Sequence, residues 1–538
     1  VGSNHRLIQA GILAMVAQPI PLDFQSGIQR DGTTLDSNRA VDALWTRWRL
    51  NRPRKMGGTQ RATDQINGIP RQVHMYYSGN VVYTHVGSAN GIQQIILDIF
   101  GTVQSITDRT PSGFVPSASN DWTLDAIYDT NTGLIQLLAH CTLNAASISN
   151  VIQTTPYIGN LIAGTALVAF SDPGSYAGGA WTKPSVAGGI VCVQPYVFDF
   201  DAYGLIQWSS PNFPLQLGVT GGTSGAGQAR ESAQKIVAGM PLRGGGTQQP
   251  AAVFWSLSEV IQATFVGSSA GFFAFSTLSS SSSILSGKSV IEYDGTYYWV
   301  GQGRFMLFNG TVQELTNQQN ADWFFDNLTP GQEQKIYAFK VPRYGEIWFC
   351  APMFGNTECS HAAIVNLREQ CWYDTALPDG GRSCGFYAQG FKYPVMGGVV
   401  NGANGYKLWL HEIGTDEIDG SAVNPMRSYF ETPWIGGLKS QQPTNNGMSI
   451  QQFEPDFIQA GDMSVYVIGE ANSRAPESSG TPVPLKTIPN VPQEELVSFK
   501  ETHRLSRLHV ESNVIGGTYV AGKNFLHADP TADPRKTS

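Results

Sequence analysis

The chain has 538 residues, 42 Asp+Glu against 34 Lys+Arg, a net charge of −8 and 14% charged residues, where soluble domains average roughly 25%. An aromatic share of 11% excludes a disordered chain, and 59 glycines without a fixed period exclude collagen. The acidic balance argues against a duplex-DNA binder that works through many phosphate contacts. The scarcity of charge leaves two readings open: a surface that largely meets other protein, or a large β fold with Ser/Thr/Asn/Gly loops.

Residues 1–70 read as an N-terminal extension. Leu7–Leu22 is broken by Gln, Gly and Pro and reads as neither signal sequence nor anchor. The longest apolar runs, such as Leu161–Phe170, reach about half of the ~20 residues a membrane helix needs, so no membrane span is expected. Over Ser37–Leu50, Val41, Leu44, Trp45 and Trp48 fall at helical spacing behind Asp36 or Ser37 as cap, which predicts a short helix. It leads into the basic cluster Arg47, Arg49, Arg52, Arg54 and Lys55. This cluster suits a protein-docking or solvated role more than contact with DNA phosphate.

From residue 71 to about 440, short strands alternate with Asp-Gly and Asn-Gly turns, dipeptides that tolerate positive φ and favour tight hairpins. Val73–Tyr77 pairs with Val81–Val86, and Thr123–Tyr128 with Leu134–His140. Ala252–Trp255, Val260–Val266 and Phe272–Phe275 make three strands. Val290–Leu315 reads as four, turning at Asp294-Gly295, Gly301–Gly303 and Asn309-Gly310. Lys335–Val341, Ile347–Cys350, Ala362–Val365 and Trp372–Thr375 make four more, and Pro394–Val400 pairs with Tyr406–His411. Consecutive antiparallel meanders without intervening helices predict an all-β chain whose centre is a divergent β-propeller. A pair of β-sandwiches is the structural alternative. The glycine-rich stretch near 218–250 reads as an insertion or loop. Residues 441–538 read as C-terminal strands and linker returning to the propeller, with 471–492 an extended linker.

Candidate chemistry is sparse. Asp199 and Asp201 lie two apart, on one face of a strand, as paired acids would; a solvated strand or turn is the competing reading. His411-Glu412 with Asp416-Glu417-x-Asp419-Gly420 is the densest acidic patch, a hairpin turn or a cation site, without EF-hand spacing. Asp294-Gly295 with Trp299 is placed like the Asp-box turn of sialidase propellers, but Glu292 stands where that turn needs Ser or Thr. Gly221–Gly225 and Gly244–Gly246 lack the residues of a phosphate loop. Gly267-Ser-Ser269-Ala-Gly271 matches a nucleophile elbow by letter, but a strand, not a helix, follows it. His140-Cys141 and Cys359-x-His361 lack partner pairs at zinc-finger spacing, and the six cysteines read as reduced, part-buried thiols. Asn309-Gly-Thr and Asn327-Leu-Thr match the glycosylation sequon at a level chance supplies. No catalytic residue, metal site or cofactor is assigned.

A series of motifs resembles one family. Gln234-Lys-Ile-Val-Ala-Gly-Met-Pro-Leu-Arg-Gly-Gly-Gly246 runs into Phe254-Trp255-Ser256-Leu257 and Phe265-Val266-Gly267. Gly303-Arg304-Phe-Met-Leu-Phe-Asn-Gly310, Ala321-Asp-Trp-Phe-Phe-Asp-Asn327 and Gly345-Glu346-Ile-Trp348-Phe349 follow. Asn366 to Trp372, His411-Glu412-x-Gly414 and Glu431-Thr432 continue the order. Together, over roughly residues 190–440 and more loosely Arg504–Leu526, these resemble the tail hub or nozzle of short-tailed phages, the packaged-DNA stabilization family. The resemblance implies a non-enzymatic virion protein of the tail. Such a protein forms a homo-hexameric tube below the portal and its adaptor protein, with a propeller in each subunit. The tube retains the packaged genome and conducts double-stranded DNA at ejection without sequence specificity. It carries tail fibres or spikes, and a tip or needle protein closes its end. Mild acidity suits such a conduit, since a basic wall would hold phosphate. The alternative is a glycan-binding or glycan-cleaving receptor-binding propeller of a virion, which calls for exposed aromatics with carboxylates on one propeller face.

Overall fold

The computed structural model describes residues 18–143, 155–172, 174, 180–181, 188–201, 203–220, 225–242, 249–268, 271–436, 445–472, 475–485 and 496–531. The chain divides into two compact units, one of residues 56–424 and one of residues 1–55 with 425–538.

The unit 56–424 is built from seven antiparallel four-stranded meanders among the described residues. Blade 1 comprises Pro70–Ser78, Val81–Ser88, Gly91–Asp98 and Val103–Asp108. Blade 2 comprises Asn120–Asp129, Leu134–Leu143, Tyr157–Asn160 and Val168–Ala169. Blade 3 comprises Gly189–Val193, Tyr196–Phe200, Leu205–Trp208 and Gly227–Arg230. Blade 4 is Ile236–Pro241, Ala251–Ser256, Val260–Ser268 and Gly271–Ser279; blade 5 is Ile291–Tyr293, Thr296–Val300, Phe305–Phe308 and Val312–Glu314. Blade 6 is Tyr337–Val341, Glu346–Ala351, His361–Asn366 and Cys371–Ala376. Blade 7 takes Arg382–Phe386, Val395–Asn401 and Tyr406–His411 from one end of the unit and Thr59–Ile66 from the other. Glu417–Asp419 and Ala422–Asn424 extend that last sheet.

The strand order makes this a β-propeller. The first strand of each blade neighbours that of the next, save that blade 4 meets blade 5 through the turn Gly287–Ser289, and Pro70–Ser78 touches both Asn120–Asp129 and Arg382–Phe386, so the inner ring closes. A four-stranded meander alternates side chains to both faces and cannot bury either alone. Here each face packs on the adjoining blade. Ile66, Val73, Val395 and Leu408 pack between blades 7 and 1. Trp122, Leu137 and Ile92 pack between blades 1 and 2. Phe198, Trp208, Phe254 and Phe273 join blades 3 and 4, and Tyr298, Phe305, Phe349 and Trp372 join blades 5 and 6. Asp294-Gly295 turns with both residues at positive φ (49° and 79°), the twist that two-residue hairpins need. The meander expected over Val290–Leu315 is blade 5, and that expected over Lys335–Thr375 is blade 6. The glycine-rich stretch near 218–250 is not merely an insertion, because Gly227–Arg230 and Ile236–Pro241 within it are the last strand of blade 3 and the first of blade 4.

The helix expected over Ser37–Leu50 is absent. Arg39–Ala40, Asp42–Leu44 and Thr46–Arg49 are strands. Thr46–Arg49 folds back on Arg52–Lys55 through Leu50-Asn51, both at positive φ (53° and 57°). Trp45 also lies at positive φ (50°), which a right-handed helix cannot contain. The apolar spacing that imitates a helix is satisfied by burial in this unit, with Trp45, Arg47 and Trp48 almost wholly enclosed. Within the basic cluster, Arg47 and Lys55 are buried and Lys55 Nζ donates to the Gly517 carbonyl at 2.8 Å. The five cations therefore do not form one open patch.

The domain boundaries also differ from those expected at 70 and 440. The described strands of 441–538 add no strand to a propeller blade; they share sheets with the N-terminal strands in the second unit. Gln18–Pro21 pairs with Phe525–Pro530, which lies beside Met448–Glu454 and then Val497–His503. Asp42–Leu44, Ser428–Glu431, Leu505–Ser512 and Met463–Glu470 make a second sheet. Phe457–Ala460, Thr518–Ala521, Arg52–Lys55 and Thr46–Arg49 make a third. Part of the expected linker over 471–492 is sheet, since Ser478–Ser479 and Val483–Leu485 pair with Met463–Glu470. At the centre of the unit, Tyr519 Oη meets Thr46 Oγ1 at 2.8 Å and Ser428 Oγ at 3.0 Å, so three buried hydroxyls satisfy one another across a strand gap of hundreds of residues.

Candidate functional site

The seven innermost strands enclose a central channel with a cavity of about 910 Å³. Every blade contributes side chains to it, from Gln72 and His74 of blade 1 round to Cys384 and Phe386 of blade 7. Parallel innermost strands start at one end, and that end collects charge. Lys288, in the turn Gly287–Ser289 before blade 5, pairs with Asp121 at the start of blade 2 and donates to the Arg71 carbonyl. Arg71 holds Glu358 through two bonds of 2.7 and 3.0 Å, and Lys335 reaches the same carboxylate at 2.9 Å. Burial alone would raise Glu358, but the hydrogen bonds and charges of Arg71 and Lys335 outweigh it and hold the carboxyl below its usual range. Lys235, just ahead of the first strand of blade 4, lines the same mouth. Burial lowers its ammonium pKa against the pull of Asp121.

Deeper in, Asp125 accepts the backbone N–H of Cys192 and that of Ala126, each at 2.8 Å, which ties blade 2 to blade 3. Burial lowers His74 to about 4, so the imidazole is neutral at pH 7. Its ring lies 5.8 Å from that of Phe386. At the far end Lys340 pairs with Glu292 at 3.2 Å, and Tyr297 Oη donates to the Pro241 carbonyl at 2.6 Å. None of these channel residues stands out in the sequence except Glu292. Their only local signal is position, a charged residue at the first step of a meander.

The residues singled out from the sequence are scattered by the fold. Asp199 lies in the second strand of blade 3, fully buried, and no described group bonds either oxygen. Val197, on the same face by alternation, packs with Ile127, Leu138 and Ile190 between blades 2 and 3. Asp201 falls just past the strand, where its Oδ1 accepts the N–H groups of Tyr203 and Leu205 at 2.7 and 2.8 Å. The two acids therefore serve a blade interface and a turn, and do not flank an open cleft. Burial, then the neighbouring Asp201 charge, pushes Asp199 well above the carboxylate range. The native state thus keeps a proton that the unfolded chain releases above about pH 4, so stability falls as pH rises from there. Asp199→Asn is expected to flatten that slope and to gain more than about 1 kcal/mol over wild type between pH 4 and pH 8. Urea midpoints measured at both pH values check it; parallel shifts in the two proteins would refute it.

In the acidic patch near His411, Glu417–Asp419 is a strand on Thr59–Ile66, and Asp419 is held in ion pairs. Lys407 bridges Asp379 and Asp419 at 3.1 and 3.0 Å, and Arg61 reaches Asp419 at 2.7 Å. His411 Nε2 accepts from Arg382 at 3.1 Å. Among the described residues no three His, Cys, Asp or Glu side chains gather as metal donors. All six cysteines are buried, and none is in a disulfide. Asp294 forms the turn of blade 5, and Trp299 is enclosed beside Trp255. Asn309 sits beside the Gly310 turn, and Asn327 donates to the Trp323 carbonyl at 2.7 Å. Strands Val260–Ser268 and Gly271–Ser279 flank the GxSxG letters as a hairpin; Ser269 itself lies outside the described residues, as do 221–224 and 244–246.

No family model matches the chain, and no curated protein matches it. Among solved structures, an ancestral GH74 enzyme aligns at 13% identity with a TM-score of 0.40, over 71% of this chain and 51% of its own. The chain thus spans about half the length of that enzyme. The assignment of the propeller rests on strand order and ring closure. No described helix is long and apolar enough to cross a membrane.

Proposed function

We propose that the chain is a structural subunit of the tail nozzle or hub of a short-tailed phage. In this role it would assemble as a homo-hexamer below the portal adaptor, extend the DNA channel, retain the genome and pass it at ejection. The observation that carries the reading is the way the propeller is inserted. The chain leaves one β unit at Lys55, forms a complete propeller, and re-enters that unit at Pro425. Such a layout gives one subunit two separable tasks, ring-building by the unit of the chain ends and presentation of a rigid side domain. Most of the ordered motifs that resemble the family fall on the propeller, among them Ile236–Pro241, Phe305–Phe308, the short helix Ala321–Asp326 and Glu346–Ala351, while Glu431-Thr432 and Arg504–Leu526 lie in the other unit.

Light scattering of the purified chain, alone and with its adaptor protein, tests the reading. A mass six times that of the subunit in either condition is the expected result. A monomer that ignores the adaptor would overturn it, and glycan binding by that monomer would favour a receptor-binding propeller.

A further inference from the structure

We propose that the central channel of the propeller is a binding site for a small anionic ligand, whose carboxylate or phosphate group sits at the mouth formed by Lys235 and Lys288. This site stands whether or not the chain builds a tail ring.

Three observations carry it. The cavity, about 910 Å³, has the size of an ordinary small-molecule site, roughly 300–1,000 Å³. Its wall is mixed in the way such sites are. Ile190, Val237 and Leu285 offer apolar surface, while Gln72 and Gln334 offer hydrogen bonds.

The mouth carries an excess of positive charge. Arg71, Lys235, Lys288 and Lys335 gather there with two carboxylates, Asp121 and Glu358. Glu358 is taken by Arg71 and Lys335, and Asp121 by Lys288. The Lys235 ammonium makes no ion pair or hydrogen bond to any other described residue, though Asp121 lies near enough to act on it through space. An ammonium partly withdrawn from water without a bonded counter-ion is costly, and a bound anion offsets that cost. The far end of the channel is balanced instead, with Lys340 on Glu292. An anion therefore has one preferred end, and the local charge disfavours a cation there.

The arrangement is also rigid. The cations stand on the first strands, or the turns leading into them, of blades that pack on both sides. Lys288 is additionally fixed by the Arg71 carbonyl, and its turn by the bond from Ser286 Oγ to the Gln334 carbonyl at 2.9 Å. Preorganised donors of this kind bind without a large ordering cost.

Titration calorimetry of the full chain at pH 7 and low salt, with citrate and with inorganic phosphate in separate runs, tests the site and tells the two anion chemistries apart. Saturable binding of at least one is expected, weakened about tenfold or more in Lys235→Met. Lys392→Met removes an exposed lysine of the same unit and is expected to leave the affinity unchanged. No binding of either anion below about 10 mM, or equal loss in both variants, overturns the proposal. A reading on the wild-type chain needs no variant to fold. The bound anion is expected to slow hydrogen exchange over residues 235–241 and 285–292 and not over 448–530. Unchanged exchange in those two segments at saturating anion would likewise overturn it.

Discussion

Gly58→Ala is expected to unlatch the propeller and to cost about 3 kcal/mol or more, among the larger effects of a single substitution. Blade 7 is completed by Thr59–Ile66, a strand from the opposite end of the unit, laid antiparallel on Tyr406–His411. Gly58 leads into that strand. Its N–H donates to the Gly414 carbonyl at 3.0 Å and its carbonyl accepts from Ile413 at 3.1 Å. A methyl group there would lie 2.3 Å from the Asp416 carbonyl oxygen and 2.5 Å from the Asp416 nitrogen. Both are backbone atoms fixed by the pairing of Glu417–Asp419 on the same strand, so no rotamer change relieves the overlap. The strand must shift, and with it the hydrogen-bonded pairing that completes blade 7 and closes the ring. Gly331→Ala is the matched comparison: its φ is +76° but nothing lies within 4 Å of the added atom. That change is expected to cost about 1–2 kcal/mol, the price of left-handed backbone alone. Urea unfolding gives the two costs, and hydrogen exchange is expected to place the Gly58→Ala loss in blade 7. Equal costs for the two variants would show that the latch is not under steric load.

Phe305→Ala is expected to lose roughly 3–5 kcal/mol. Phe305 is 1% exposed and stands where four other aromatic rings converge. Trp372 lies 4.6 Å away by ring centroid, Phe324 5.1 Å, and Phe325 and Phe349 each 5.2 Å. These rings come from blade 5, blade 6 and the short helix between them, so one truncation leaves a void common to all three. Phe305→Leu retains most of the volume and is expected to cost about 1.5 kcal/mol or less. Phe100→Ala, at a position 71% exposed, is expected to stay within about 0.5 kcal/mol. Thermal unfolding of the three variants checks the order. A Phe305→Ala protein as stable as Phe100→Ala would mean that blades 5 and 6 are not held together by this cluster.

Much of the propeller is legible in the chain because its signals are local. Short continuous apolar runs such as Tyr297–Val300 and Phe305–Phe308, bounded by Asp294-Gly295 and Asn309-Gly310, specify hairpins without help from distant residues. The first strand of blade 4, Ile236–Pro241, is less legible. It is an innermost strand flanked by glycine-rich sequence, and its partner Ala251–Ser256 is separated from it by residues with no pattern. Ser37–Leu50 shows the opposite failure. Its apolar spacing fits a helix, and only the tertiary burial of Trp45 and Trp48 and the positive φ values at Trp45, Leu50 and Asn51 make it strand.

The channel mouth was not legible at all. Arg71, Asp121, Lys235, Lys288 and Glu358 are separated by up to 287 residues along the chain, the span bridged by the Arg71–Glu358 pair. Conversely Asp199 and Asp201, adjacent in sequence pattern, are divided by the end of a strand into a buried acid and a turn acceptor.

By itself, then, the sequence determined strand content, turn positions and the succession of meanders, because each depends on alternation and on φ preferences over a few residues. Only the tertiary structure decided that Thr59–Ile66 closes the ring, that the two chain ends share one unit, and that charges from different blades meet at one mouth. Those outcomes depend on which faces find mutual burial and on loop closure over hundreds of residues. The free energy for such closures grows slowly with length and leaves no local trace in the chain.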